Sequence, residues 1–381
     1  MPRKSTPVRI PISNVLLGDD YTGKLYVGSQ RKEVNLLLDT GSSTLAVDHK
    51  SYDPRHDPNA KVTELVQEVR YGDGSNWIGS VVQTDMTVSK HGRSVDLPNV
   101  SVAVAYHETV NMFGKSQGIL GLAYQPLDDA VDVDQPTVPP KYSPNDVRAG
   151  RSVHVEPYFT QLEKAGLVAD KFAFSTHRSA IHASKHPATD PLNNGFLILG
   201  GGEEATDLHN GKFKTALVLS DDYWSVNLKQ VIVGNAGAIP VRPPSRQSTA
   251  RTNAIVDSGT NGLDIAPAIF DAILAKLPPD QVKLMRTREV STKQVKLDEW
   301  PTLTFVLQGE RGDISLDVEP EHYWQMDAWE TGTAWRALWR ADRGEEQSTL
   351  GLPLMNAYFT IFDGAANRGL GVVRFAPARP V

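Results

Sequence analysis

The chain has 381 residues, of which 40% are hydrophobic and 22% are charged, a globular balance with enough length for two packed lobes. The formal net charge of −6 argues against nucleic acid as a partner, and the lack of cysteine excludes disulfides, zinc–thiolate sites and thiol nucleophiles. No apolar run approaches the roughly 20 residues of a membrane-spanning helix, so no membrane partner is expected.

The first third of the chain is predicted to consist of strands and turns. A continuous apolar strand over residues 34–38 leads directly into Asp39. Residues 64–70 and 77–88 alternate on either side of the turn-forming segment 71–75, a pattern typical of a β-hairpin. This hairpin has a tyrosine and two glycines at its tip.

The remaining elements are predicted with the same rules. Residues 125–152 are rich in proline and aspartate with little periodicity, which predicts a long irregular surface insertion. Helical spacing over 158–165 and 267–277 predicts two short helices, each followed by a glycine or proline stop. The short apolar run 254–256 predicts a strand that leads into Asp257. The fold class is therefore all-β with a few short helices.

One four-residue word occurs twice, once in each half of the chain. Each copy follows an apolar strand and has the form aspartate, hydroxyl residue, glycine, hydroxyl residue: Asp39-Thr40-Gly41-Ser42 and Asp257-Ser258-Gly259-Thr260. About 80 to 90 positions after each word comes a matching unit with the pattern residue-Leu-Gly, at 119–121 and 349–351. The repetition predicts two related lobes, residues 1–185 and 186–381, that each deliver one carboxylate to a shared cleft.

Two facing aspartates make a particular chemistry possible. Like charges at short range cannot both ionise easily, so one proton is shared between the carboxyls. The ionised carboxylate can then act as a general base on water, while the protonated carboxyl polarises a carbonyl group. Asp39 and Asp257 are the predicted catalytic pair, and ordinary turn aspartates are the alternative interpretation.

The neighbours of the two aspartates suit supporting roles. Gly41 and Gly259 allow close backbone approach. The hydroxyls of Ser42 and Thr260 can orient the carboxylates, and those of Thr40 and Ser258 can brace one loop against the other lobe. The predicted supporting residues are Thr40, Gly41, Ser42, Ser258, Gly259 and Thr260.

These motifs carry a resemblance to a known family. The chain resembles the pepsin-like aspartic peptidases, as a fungal or bacterial type without cysteines, through stretches that span residues 34–373: LLLDTGSSTLAV, RYGDGSNWIG, GILGLAY, AIVDSGTNGL and FTIFDGAANRGLGV. The resemblance implies a bilobal β fold with one catalytic aspartate per lobe and an endopeptidase activity on peptides or unfolded proteins. It further implies inhibition by pepstatin-type compounds, no metal or organic cofactor, and a monomer.

The resemblance also assigns the hairpin tip. Tyr71, Gly72 and Asp73 match the substrate-binding flap that closes over bound peptide. Asp73 resembles an acidic flap tip that accepts lysine beside the cut bond in certain fungal members, and a plain turn residue is the alternative. Members of the family usually carry a tryptophan at the position of Ala46, hydrogen-bonded to the flap tyrosine. We therefore expect either that Tyr71 finds another partner or that the flap is looser, and Trp77 in the return strand of the hairpin is the candidate to compensate by packing.

Two further groups of residues remain open to interpretation. His177, His182 and His186 lie close together in sequence and suggest either a zinc site or, more simply, a solvated loop. Trp324 and Trp329 belong to a tryptophan-rich stretch that indicates packing, or alternatively the border of a substrate subsite.

Two other functions compete with the endopeptidase. A non-catalytic pepsin-like peptide-binding protein would be marked by loss of a dyad aspartate or motif glycine, and a two-carboxylate glycosidase would need neither the repeated word nor a flap. The compartment depends on whether Met1 is the native start, which predicts a cytoplasmic protein, or whether a signal and prosegment were removed, which predicts a secreted one.

Overall fold

The computed structural model describes residues 6–71, 74–90, 93–109, 113–133, 137–139, 147, 150–341 and 346–381. Strands account for 43% of the structure and helices for 16%, which confirms the predicted all-β class with a few short helices. The α-helices are α1 (Tyr158–Lys164), α2 (Pro267–Leu274), α3 (Pro279–Leu284), α4 (Pro320–Tyr323) and α5 (Leu352–Ala357). Single 3₁₀ turns lie at Pro54–His56, Gln125–Leu127, Pro187–Thr189, Pro191–Asn193, Gly234–Ala236, Thr292–Gln294, Leu297–Glu299 and Asn367–Gly369.

The strands of the first part of the chain include the predicted hairpin and the strand that leads into the first aspartate. They are β1 (Val8–Ser13), β2 (Thr22–Val27), β3 (Lys32–Asp39), β4 (Leu45–Asp48), β5 (Lys61–Arg70), β6 (Asn76–Lys90), β7 (Arg93–Glu108), β8 (Gly118–Gly121), β9 (Asp129–Asp132), β10 (Arg151–His154) and β11 (Lys171–Ser175). The predicted hairpin is confirmed as β5 and β6. The two strands pair antiparallel, with Lys61 opposite Gln83 at one end and Arg70 opposite Asn76 at the other.

The strands of the second part are shorter. They are β12 (Asn194–Leu199), β13 (Lys214–Leu217), β14 (Ser225–Val226), β15 (Leu228–Val233), β16 (Ala238–Pro240), β17 (Ala254–Val256), β18 (Leu263–Ile265), β19 (Glu289–Ser291), β20 (Leu303–Leu307), β21 (Ile314–Val318), β22 (Trp324–Met326), β23 (Thr333–Arg336), β24 (Leu338–Arg340), β25 (Ser348–Leu350), β26 (Tyr358–Asp363) and β27 (Val372–Pro377). The predicted strand 254–256 is confirmed as β17.

One sheet joins strands from both halves of the chain. Within the described residues its order is β10-β9-β5-β6-β7-β4-β8-β3-β2-β1-β12-β11-β26-β27-β13. Smaller sheets have the orders β14-β17-β25-β18-β24, β16-β15-β20-β21 and β19-β23-β22. The predicted lobe boundary at residue 185 falls between β11 and β12, which are neighbours in the large sheet. The division into residues 1–185 and 186–381 stays a prediction.

The two halves repeat one strand arrangement around the aspartates. In the first half β3 runs parallel to β8, β8 pairs antiparallel with β4, and β4 runs parallel to β7. In the second half β17 runs parallel to β25, β25 pairs antiparallel with β18, and β18 runs parallel to β24. The matching units at 119–121 and 349–351 lie in or at the end of β8 and β25, the parallel partners of the strands that lead into the two aspartates. The repeated motifs in the sequence thus correspond to a repeated arrangement of strands.

An aromatic cluster connects the halves in the core. Trp224 packs against Phe172 and Phe362 with ring centroids 5.6 and 5.0 Å away. Its indole nitrogen donates a hydrogen bond of 3.0 Å to the carbonyl of Leu122, in the segment that follows β8. Burial of such large rings stabilises the contact between the first half and the second.

The segment predicted as an irregular insertion is structured at both ends, so that prediction is wrong there. β9 pairs with β10 and also with β5, the first strand of the predicted flap hairpin. The two strands were not predicted because prolines and aspartates in this segment interrupt the alternation of apolar and polar residues on which strand prediction depends. The insertion therefore extends the sheet beyond β5, on the outer edge of the predicted flap hairpin.

Candidate active site

Both predicted catalytic aspartates lie at the end of a buried strand. Asp39 is the last residue of β3, and Asp257 directly follows β17. Their parallel neighbours place Gly121 beside Asp39 and Leu350 beside Val256. Asp39 is 6% exposed and Asp257 8%, so each carboxyl group is largely screened from bulk water.

The two carboxylates have the same set of hydrogen bonds. The backbone N–H of Gly41 donates to Asp39 Oδ1 at 2.7 Å, and the Ser42 hydroxyl donates to Asp39 Oδ2 at 2.5 Å. In the second half Gly259 N–H donates to Asp257 Oδ1 at 2.8 Å and the Thr260 hydroxyl donates to Oδ2 at 2.7 Å. Each carboxylate is thus held in one orientation by its own loop, as predicted for Ser42 and Thr260.

The second residue of each word crosses to the opposite loop. The Thr40 N–H donates to the Ser258 hydroxyl at 3.0 Å, and the Ser258 N–H donates to the Thr40 hydroxyl at 2.8 Å. The hydroxyls in turn donate to backbone carbonyls, Thr40 to Val256 at 3.1 Å and Ser258 to Leu38 at 2.8 Å. These four buried bonds tie the two aspartate loops together and set their spacing.

The glycines bring each loop against the other carboxyl group. A Cβ atom added to Gly41 would lie 2.7 Å from the carboxyl carbon of Asp257, and one on Gly259 would collide with the Asp39 carboxyl. Real Cβ atoms do not approach so closely, so glycine is required at both positions. The two aspartates consequently share one site.

Electrostatics at this site favour a shared proton. Burial raises the pKa of Asp39 well above its usual range, and the charge of Asp257 and a hydrogen bond with it act in the same direction. Asp39 therefore retains a proton over a pH range where an exposed aspartate has lost it. This is the protonation state that general acid–base work by a carboxyl pair requires.

Two further acids, Asp19 and Asp20, lie close to the pair, although no sequence motif assigns them to it. Burial raises the pKa of Asp20 strongly, and the charges of Asp19, Asp257 and Asp39 raise it further. Asp20 Oδ1 is inaccessible to solvent and has no hydrogen-bond partner among the described residues. Asp19 accepts a 3.0 Å hydrogen bond from Asn261, the residue after Thr260. The only sequence feature that could have indicated their role is that the two acids are consecutive.

Of the two alternatives drawn from Ala46, the structure shows the first, because Tyr71 has another partner for its hydroxyl. Trp77 Nε1 donates a 3.2 Å hydrogen bond to the Tyr71 hydroxyl. Trp77 is completely buried and packs in a cluster with Ala46 and Phe113, its ring centroid 6.4 Å from that of Phe113. Because the Ala46 side chain is small, there is room next to it for the indole of Trp77, which is part of β6.

The flap turn is partly within the described residues. Tyr71 N–H donates to the Ser75 carbonyl at 2.9 Å, and Gly74 N–H donates to the Tyr71 carbonyl at 3.0 Å. These bonds close a tight turn between β5 and β6. The other two predicted flap residues, Gly72 and Asp73, lie outside the described residues, so their roles stay predictions.

The remaining candidates are two tryptophans and a group of histidines. Trp324 is completely buried against Trp300, with centroids 5.2 Å apart, which rules it out as the border of a subsite. Trp329 is 38% exposed. His182 Nδ1 lies 2.7 Å from Asp190 Oδ2, within hydrogen-bonding distance. Within the described ranges, no three His, Cys, Asp or Glu side chains are grouped to hold a metal ion.

The chain is similar in sequence to several known proteins. A sequence model described as eukaryotic aspartyl protease matches residues 20–378. Pepsin B of Canis lupus familiaris is 25% identical over 94% of this chain and 82% of its own length. A vacuolar aspartic protease of Candida albicans is 26% identical over 81% of this chain and 65% of its own length.

A third relative shows how far the similarity extends. A beta-secretase of Strongylocentrotus purpuratus is 23% identical over 94% of this chain and 66% of its own length. The low identities concern single relatives, whereas the family match covers nearly the whole chain, both aspartate words included. Separately, no helix in the described residues is long and apolar enough to cross a membrane.

Proposed function

Because the chain belongs to the eukaryotic aspartyl protease family, we propose that it is an aspartic endopeptidase acting on peptide bonds in extended polypeptides. The observation that carries the proposal is the paired geometry of Asp39 and Asp257. Each accepts a backbone N–H bond on one oxygen and a hydroxyl bond on the other, and each lies against the other loop's glycine.

The proposed reaction uses a water molecule held between the two carboxyl groups. Asp257 takes a proton from the water as its oxygen attacks the carbonyl carbon, and Asp39 gives its proton to the carbonyl oxygen. The tetrahedral diol then collapses: the C–N bond breaks and the leaving nitrogen takes the proton from Asp257. Asp39 recovers its proton from the diol hydroxyl, so both groups return to their starting states.

The flap would hold the substrate in place for this chemistry. A peptide lying as an extended strand beneath Tyr71 gains main-chain hydrogen bonds, and side-chain pockets add preference. Closure of the flap excludes water and strengthens electrostatic interactions at the carboxyl pair. Peptides and unfolded proteins are therefore the proposed substrates, and pepstatin-type compounds, which inhibit this family, are the proposed inhibitors.

Neither competing function is favoured by an observation. A non-catalytic binding protein would be expected to lose an aspartate or a motif glycine, and all four residues are present and in contact. A glycosidase would not need the cross-bonded loops of Thr40 and Ser258.

The test is incubation of the purified protein with a denatured protein substrate across pH 3 to 7, with and without a pepstatin-type inhibitor. We expect fragments of defined size whose release the inhibitor blocks. Intact substrate at every pH, together with stoichiometric inhibitor binding, would instead support the peptide-binding protein.

A further inference from the structure

A buried carboxylate outside the catalytic pair connects three parts of the molecule. Asp128 is 2% exposed and lies between the 3₁₀ turn Gln125–Leu127 and strand β9. Its Oδ1 accepts a 2.9 Å hydrogen bond from the Thr44 hydroxyl and a 2.6 Å bond from Gln67 Nε2. Thr44 and Gln67 are themselves 2% and 1% exposed, so the bonds lie in the interior.

Each donor belongs to a part of the proposed catalytic machinery. Thr44 lies two residues after Ser42, whose hydroxyl orients Asp39, and the Thr44 carbonyl accepts the Gly121 N–H at 3.0 Å. Gln67 is in β5, four residues before Tyr71. Asp128 thus joins the loop of the first aspartate to the strand that leads to the flap tip.

The insertion hairpin supports the same strand from outside. β9 pairs with β5 at Leu65 and Val66, and Gln67 Nε2 also donates to the Asp129 carbonyl at 3.3 Å. The Ser80 hydroxyl in β6 donates to the Thr137 carbonyl at 2.9 Å. Both flap strands are therefore attached to the insertion near their base.

We propose that Asp128 is a positioning residue that couples the base of the flap to the loop of the first catalytic aspartate. It acts through Gln67 and Thr44, and the hairpin formed by β9 and β10 holds it in place. The proposal deepens the proposed function, because a fixed flap base matters only if the flap covers a substrate.

Asp128 is a polar link rather than an ion pair. The titratable groups that interact with it are Asp129 and His154, and Asp129 Oδ1 lies 2.8 Å from His154 Nδ1. Burial without a contacting cation raises the pKa of Asp128 to about 7. The bonds from Thr44 and Gln67 need only an acceptor oxygen, which an asparagine would also supply.

Four variants separate coupling from general stability. Asp128→Ala removes the acceptor, and Asp128→Asn keeps an acceptor oxygen in the same place. Gln67→Leu removes the flap-side donor and serves if Asp128→Ala does not fold. The matched control is Asp57→Ala, since Asp57 is another buried carboxylate that accepts a 2.6 Å bond from β6 residue Thr84. Among the described residues, the hydrogen bonds to its carboxylate come from neither β5 nor a loop of the catalytic pair.

Two measurements are made on the full-length protein. The first is amide hydrogen exchange over residues 65–71 and 76–82 in the absence of substrate. The second is KM and kcat for a peptide substrate. Loss of a buried hydrogen bond to a carboxyl group corresponds to a change of up to roughly tenfold in an equilibrium. We expect exchange at the flap base and KM to rise about tenfold in Asp128→Ala and Gln67→Leu, with a smaller change in kcat.

The conservative variant and the control decide the outcome. Asp128→Asn should stay within about threefold of the unmodified protein in both measurements, and Asp57→Ala should leave flap exchange and KM unchanged. Equal effects of Asp128→Ala and Asp57→Ala, or a fall in kcat with KM unchanged, would overturn the proposal. If the unmodified protein cleaves no peptide, the proposed function fails, and the exchange measurements still decide whether Asp128 couples the two parts.

Discussion

Trp77 donates a 3.2 Å hydrogen bond from its indole nitrogen to the hydroxyl of Tyr71, six residues away on the same hairpin. In the family pattern the donor comes from the position that Ala46 occupies here, in the body of the lobe. In this protein the donor is in β6, packed over Ala46. Tyr71 is consequently held by a residue of its own hairpin and not by a residue of β4.

Replacement of Trp77 by phenylalanine should weaken substrate binding. The variant keeps an aromatic ring in the cluster with Phe113 but removes the N–H donor to Tyr71. Loss of about 1 kcal/mol for one hydrogen bond predicts a rise in KM of roughly fivefold with a smaller change in kcat. Steady-state kinetics with one peptide measures both.

Trp324→Phe is the matched control for that variant. Trp324 is equally buried, and its indole nitrogen has no hydrogen-bond partner within the described part of the chain. An identical change in KM for both tryptophan variants would show that ring size, not the bond to Tyr71, is responsible.

Restoration of the usual family residue at position 46 should be harmful. Ala46 is fully buried, and the Trp77 ring already fills the neighbouring space. Ala46→Trp would overpack this cluster and lower the free energy of unfolding by about 1–3 kcal/mol. Urea unfolding measures the difference. Unchanged stability combined with tighter inhibitor binding would show that the site has room for both indoles.

Much of the fold could be predicted from sequence because its signals are local. The apolar runs that lead into Asp39 and Asp257, the alternation around Tyr71 and the helical spacing from Tyr158 each act within a few residues. The helix is observed at Tyr158–Lys164, and the hairpin as β5 and β6. The roles of Ser42 and Thr260 toward their own aspartates followed from spacing alone.

The contacts that depend on distant residues were harder to predict. The Trp77–Tyr71 bond depends on the space above Ala46, which only the packing of β4 against β7 and β8 defines. Asp20 belongs to a turn in sequence, yet it is influenced by charges from both aspartate loops. Sequence periodicity reports which face of an element is buried, and it does not report which side chains meet there.

The cross-lobe bonds predict a further difference between two small substitutions. Thr40→Val leaves the Ser258 N–H and the Val256 carbonyl without their hydroxyl partner in a buried place, whereas Thr40→Ser keeps the hydroxyl. We expect the valine variant to lose about 1–3 kcal/mol of unfolding free energy relative to the serine variant. Denaturant titration of both proteins checks this. Equal stabilities would mean that the bonds between the loops contribute little.

Asp128 predicts how stability depends on pH. Its pKa is about 7 in the folded protein against 3.8 when unperturbed, so the folded state binds the proton more tightly. The resulting stabilisation is fully present below pH 3.8 and is lost as the pH rises through 7. The total is about 4 kcal/mol, since each pKa unit corresponds to 1.36 kcal/mol.

The Asp128→Asn variant isolates this contribution, because other buried acids remain in both proteins. Unfolding free energies of the two proteins are compared between pH 4 and pH 8. The unmodified protein should lose stability relative to the variant as the pH rises. A difference that stays constant across this range would show that Asp128 titrates like an exposed aspartate.

The central claim is that Asp39 and Asp257 act on one water molecule with different proton tasks. The most direct measurement is kcat of the purified Asp39→Asn and Asp257→Asn variants on one peptide, with folding verified by circular dichroism. Each variant lacks one of the two groups that transfer a proton, so we expect kcat to fall roughly 10³-fold or more in each. Turnover within tenfold of the unmodified protein in either variant would contradict the account.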